Sequence, residues 1–257
     1  MNGHSARNSQ VLILCAQTLV FAALLVIWEL AVRTGIASAP LYGQPSGIAA
    51  ALWDDLFRTG KLWFELGWTL TSAVLAFAIG SAAALLLGMV FVLFPLSERI
   101  LDPLLAALNA MPRIALAPLL ILWFGLGMGS KVAIGASLCF FIVLQNVIAG
   151  GRSVDRDHLI LAKTVGLQPL ESFWKITIPS AVPVIFGGLR LGFMYSLLGV
   201  VAGEIIASEH GLGQLVAYLT SSFDINRVWA VIFVLAIVGV ALSWLLLKLE
   251  RKLLRWK

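Results

Sequence analysis

An all-α polytopic membrane protein with about six transmembrane helices is the fold class this sequence predicts. Three observations predict it. Hydrophobic residues make up 60% of the chain and charged residues only 12%, a balance foreign to water-soluble domains. Apolar runs of about 20 residues recur, the length needed to cross a bilayer core of about 30 Å. The connectors between them collect most of the charges. Residues 1–257 are read as a single transmembrane domain.

The same composition excludes other classes. Cys15 and Cys139 both fall in apolar runs and read as small buried hydrophobes, with no disulfide framework. His4, His158 and His210 are scattered, and none has a second ligand at metal spacing. The net charge of +5 is not gathered into a basic block interleaved with aromatics. Nucleic acid is therefore not an expected partner, whereas membrane lipid is. GLGMGSK (125–131) mimics a phosphate-binding loop, but Ser130 precedes Lys131 and the required order is reversed. No nucleophile–base arrangement stands out. The expected chain is not an enzyme and binds no cofactor.

Val11 to Ala31 is the first span; it is too long for a signal-peptide core and is read as retained. Glu29 is a headgroup charge or a path residue. Thr34 to Glu65 is a polar connector whose middle, Ser46 to Phe57, suits a short amphipathic helix. Leu66 to Phe94 is the second span, and Pro95 to Asp102 a short connector. Pro103 to Gly125 is the third span, interrupted by Pro112 and Pro118, with Asn109 and Arg113 among them. Proline deletes a backbone donor and breaks the ladder. In lipid that is tolerated where neighbours or water satisfy the freed groups, as along a transport path. Lys131 to Ile148 is the fourth span, Ala181 to Ser208 the fifth and Val228 to Leu247 the sixth, with Glu209 to Arg227 a connector before it.

Between the fourth and fifth spans lies RSVDRDHLILAKTVGLQPLESFWKITIP (152–179), too polar for lipid and too apolar for a solvated linker. Asp155 can cap a helix carrying Leu159, Ile160, Leu161 and Ala162. Gly166 stops it, because glycine reaches positive φ without strain. Pro169 suits the first turn of a second short helix ending in Phe173, Trp174 and Lys175. The product is a helix–Gly–helix hairpin that either meets a partner or rests on headgroups.

Six spans place both termini on one side. That side holds eleven Lys and Arg; the other holds five, with Arg113 and Arg190 inside spans completing the eighteen. Positive residues stay cytoplasmic, so the termini and residues 152–179 of this multi-pass protein are expected there.

The intramembrane charges are Arg113, Arg190 and Glu204, each in need of a partner or water. With Asn109 they are the candidate substrate-path residues. Arg190 either snorkels or contacts substrate. It lies about 21 Å along a straight helix from Glu204, so the two cannot pair in one copy. Gly188, Gly192 and Ser196 recur four apart and permit a close helix contact, within the subunit or across a dimer.

Gly166, Ile176, Ile178 and Pro179 match the spacing of the signature loop of ABC-importer permeases, which reads Glu-Ala-Ala, three residues, Gly, nine residues, Ile, one residue, Leu, Pro. Ile160, Leu161 and Ala162 occupy the opening positions, so the family's acid and one alanine are missing. NAMPRIALAPLLILWFGLG (109–127), GGRSVDRD (150–157), GGLRLG (187–192), GVVAGE (199–204) and HGLGQLV (210–216) resemble the nitrate/sulfonate/taurine/pyrimidine-precursor group of these permeases. The likeness spans residues 66–257. It implies a homodimeric permease subunit that moves a small solute across the bacterial inner membrane, with the 152–179 loop coupled to a cytoplasmic ABC ATPase. It also implies a periplasmic or lipid-anchored substrate-binding protein. Leu159, Ile160, Leu161, Ala162, Gly166, Phe173 and Trp174 would make the ATPase contact, and ATP would bind the partner. The alternative is a secondary transporter or channel without an ATPase, which an internal inverted repeat would favour; none is visible.

Overall fold

The computed structural model describes residues 3–253, and side chains over 12–252 apart from those of 156, 159 and 163. Its order is α1 (Gly3–Arg33), α2 (Ala39–Tyr42), α3 (Pro45–Trp53), a π turn (Asp54–Arg58), α4 (Lys61–Leu93), α5 (Pro95–Ala110), a 3-10 turn (Arg113–Leu116) and α6 (Ala117–Phe124). There follow α7 (Met128–Arg152), α8 (Arg156–Thr164), α9 (Pro169–Ser172), a second π turn (Phe173–Thr177), α10 (Ile178–Ile206), α11 (Leu212–Ser221) and α12 (Ile225–Leu253). Among the described residues the regular structure is all helical. Five helices are long and apolar enough to cross a membrane, and the bent pair α5–α6 makes a sixth.

The third span is broken, as its prolines predict. Met111 is extended (ψ 130°), the preference of a residue before proline, and the chain bends by 80° between α5 and the helical segment after it. Pro118 sits in the first turn of α6, where its missing N–H has no intrahelical role. One boundary needs correction. Pro95 to Asp102 is not a connector but the first half of α5, started by Pro95. The predicted connector before the last span likewise contains a helix, α11.

The chain forms two compact units. One comprises the residues up to Leu62 with Tyr218–Val234; the other comprises Trp63–Ala217 with the chain from Leu235. In the first, Glu29 is a cap. Its carboxylate accepts from the Ser46 N–H at 3.0 Å and hydroxyl at 2.8 Å, at the positive end of α3. Arg227 reaches Asp54 and Asp55 at 3.2 Å and Asp224 at 3.4 Å.

In the second unit α10 packs along α7. A β-carbon on Gly192 would meet Val143 Cγ2 at 2.5 Å; one on Gly188 would collide with Asn146. Ser196 is fully buried, its hydroxyl 3.2 Å from the Ala73 carbonyl of α4. Small residues let these backbones approach where no hydrophobic effect drives them together. Of the two contacts open to the Gly188–Gly192–Ser196 stripe, α7 and α4 of the same chain occupy it. The stripe is therefore not a free face for a second copy.

Candidate functional site

The polar stretch after α7 folds by local signals. Asp155 Oδ1 accepts the Asp157 N–H at 3.0 Å and caps α8. Gly166 takes φ +81°, and the Leu167 N–H returns to the Ala162 carbonyl at 2.9 Å, closing the helix as a Schellman turn. The second helix departs from expectation. It does not end at Lys175 but passes through the π turn directly into α10, with Pro179 in the first turn of that helix. The π turn carries Phe173 inward beside Met89, Val92 and Val147, where it is 5% exposed. Ala162 is buried as well. Ile160, Leu161 and Trp174 stay exposed, Trp174 at 56%. Val165 and Leu170, which the sequence reading did not single out, join them as exposed apolar residues flanking Gly166. The Leu159 side chain lies outside the described residues.

The charges inside the spans are placed differently from one another. Glu204 has no solvent-exposed side-chain surface, and Lys131, expected at the non-cytoplasmic end of the fourth span, is 3% exposed beside it. Lys131 Nζ donates to Glu204 Oε1 at 3.1 Å and to the His210 carbonyl at 2.8 Å. The Thr69 hydroxyl donates to Glu204 Oε2 at 2.9 Å and accepts the Leu212 N–H at 2.8 Å. Gly213 N–H gives Glu204 Oε2 a further bond at 3.0 Å, and Gly211 N–H donates to Glu65 Oε2 at 2.6 Å. This clasp ties the α10–α11 turn to α4 and α7. A carboxylate with every neighbour committed to it fastens helices, and it does not present itself to a passing solute. The lysine of the phosphate-loop mimic is the other half of that clasp.

Arg190 pairs with Glu250 of α12 at 3.4 Å. Arg113 and Asn109 come together: Arg113 Nη2 donates to Asn109 Oδ1 at 2.7 Å, and its guanidinium lies 4.2 Å above the Phe141 ring. They sit at the break after α5, where the chain bends by 80°.

Residues 77–255 match the family model described as the binding-protein-dependent transport system inner membrane component. The chain belongs to this family. It is a permease subunit of an ABC importer, and the alternative of a transporter working without an ATPase is set aside. The permease is 34% identical over 245 residues to the formylaminopyrimidine transport permease protein ThiX of Halalkalibacterium halodurans, covering 93% of this chain and 95% of that protein. It is 35% identical to the riboflavin transport system permease protein RibX of Chloroflexus aurantiacus, covering 91% and 87%. It is 31% identical to the putative aliphatic sulfonates transport permease protein SsuC of Bacillus subtilis, covering 92% and 85%. These names bear out the group identified from the motifs. The permease shares its fold with a chain of the MetNI methionine ABC transporter in an inward-facing form, at TM-score 0.62 and 15% identity over 76% of this chain and 94% of that one.

Sequence reasoning about the permease missed Lys131 because a lone lysine near a span end reads as topology. The signal that would have found it is Glu65 and Thr69, polar residues one turn apart at the start of a long apolar span, which require buried partners.

Proposed function

We propose that two copies of this permease form the membrane path of the importer, with both termini and the Arg152–Pro179 stretch in the cytoplasm. An ABC ATPase docks there, and a periplasmic or lipid-anchored substrate-binding protein delivers a small organic solute from the other side. The permease itself binds no nucleotide and no metal. Its relatives' names support a cargo among pyrimidines, flavins and sulfonates. The observation that carries the docking is the exposed apolar group around Gly166: Ile160, Leu161, Val165, Leu170 and Trp174. Water would not retain such a group on a polar loop without a partner, and burying one of these side chains is worth about 1.5–3 kcal/mol. Leu159 belongs to the same contact. Gly166 sets the angle between α8 and α9, and Ala162 and Phe173 support the surface from inside.

The test is copurification of the ATPase with variants of the loop, together with solute uptake. Leu161→Asp and Trp174→Asp are each expected to release the ATPase and abolish uptake, whereas raised salt should leave the complex largely intact, since apolar burial dominates. An ATPase that stays bound in both variants while uptake continues would remove this stretch from the coupling contact.

Sidedness has its own check. Ser38→Cys and Ser153→Cys lie on opposite sides in the proposed orientation, and both residues are exposed. With Cys15 and Cys139 replaced by serine, a membrane-impermeant maleimide added to intact cells is expected to label only position 38. Labelling at 153 alone would invert the topology.

A further inference from the structure

Glu98, Asp102 and Asn109 lie at helical spacing on one face of α5, and Arg113 continues that row past the break. Phe141, Gln145 and Arg152 form a facing row on α7. The rows meet at both ends. Arg152 Nη2 lies 2.6 Å from the Glu98 carboxylate at one, and the Arg113 guanidinium covers the Phe141 ring at the other. Between them is a cleft of about 230 Å³ lined by Asp102, Asn109, Phe141 and Gln145, with small Ala106 and Ala110 leaving the space.

Amides and a carboxylate opening into such a cleft are costly against hydrocarbon, and a water-filled path satisfies them. The chemistry of the lining is selective. Asn109 Oδ1 already accepts from Arg113, so its amide N–H groups remain as donors. Gln145 offers one amide oxygen and one amide nitrogen. Arg152 pairs with Glu98, and Arg113 is held by Asn109 and Phe141, so the lining carboxylate of Asp102 faces the cleft and disfavours an anion, a cost that a neutral solute avoids. The volume suits about eight non-hydrogen atoms, judged against about 30 Å³ for one water molecule.

We propose that this cleft is a solute subsite on the import path and that it takes a neutral, single-ring nitrogen heterocycle with both donor and acceptor edges. The proposal rests on the import reading above and adds the place and class of the cargo. Arg113 acts here as a positioning residue that orients the Asn109 amide and fixes one face of Phe141.

The experiment uses the permease–ATPase complex in lipid nanodiscs and radiolabelled cytosine, a neutral aminopyrimidinone, with ethanesulfonate as the anionic comparison, both by equilibrium dialysis. Cytosine is expected to bind at millimolar concentration, and ethanesulfonate about tenfold more weakly or not at all. Asn109→Leu and Gln145→Leu are each expected to weaken cytosine about tenfold, the scale of one lost hydrogen bond. Both side chains are exposed, so these variants should melt with the parent. Absence of cytosine binding, equal binding of ethanesulfonate, or unchanged binding in both variants would overturn the subsite. Loss of the ATPase from the parent complex would instead overturn the import reading, so the two failures are told apart.

Discussion

Lys131→Met is expected to destabilise the permease by about 3–5 kcal/mol, the cost of leaving a buried charge without its partner. Glu204 would keep its place with no solvent-exposed side-chain surface while losing the ammonium at 3.1 Å. The His210 carbonyl and Ser208 hydroxyl, at 2.8 and 3.3 Å from Nζ, would lose their donor as well. The double variant Lys131→Met with Glu204→Gln should recover a substantial part of the loss. The amide oxygen can still accept from Thr69 and Gly213, and no unpaired charge remains. The measurement is the melting temperature of detergent-purified protein for the two single variants and the double. If the double variant melts no higher than Lys131→Met, the ion pair is not what holds the α10–α11 turn in place.

Gly192→Leu is the second large effect, about 3 kcal/mol or more, because the first added carbon would already lie 2.5 Å from Val143 Cγ2 and 3.1 Å from Cys139 Sγ. The two helices would have to separate along this stretch, where close packing is what holds them in lipid. Gly187→Leu supplies the control. Its β-carbon has nothing within 4 Å, so the same side chain one turn-face away is expected to change stability by less than about 0.5 kcal/mol. Melting of the two variants in parallel decides it; equal losses would mean that glycine flexibility, not the α7 contact, is at stake.

What the sequence made legible was local. The Asp155 cap, the positive φ at Gly166 and the break at Pro112 each depend on one or two neighbouring residues and on backbone sterics, so they could be read without knowing what packs where. What stayed hidden was non-local. Glu204 read as a path residue because its partner is 73 positions away. Arg190 read as an isolated charge because Glu250 lies on another helix. The side of the small-residue stripe was undecidable, since spacing four apart describes a contact face without naming what fills it. Phe173 was misplaced for a subtler reason. A π turn adds a residue to the helical repeat, so everything after Ser172 is rotated from where a regular helix would point it.

That same turn has a mechanical meaning. Helix follows helix with no non-helical link from Pro169 to Ile206, a path of about 57 Å if straight, although Pro179 and Pro183 each withhold one ladder donor. One tip of the path carries exposed Leu170; the other carries Glu204 and its buried lysine. A push on the first tip meets no non-helical link before it reaches the second. The slack in this part of the chain lies upstream, in the non-helical link of Val165, Gly166, Leu167 and Gln168. A torque applied to α8 can be absorbed there, whereas one applied to α9 enters α10 without crossing such a link.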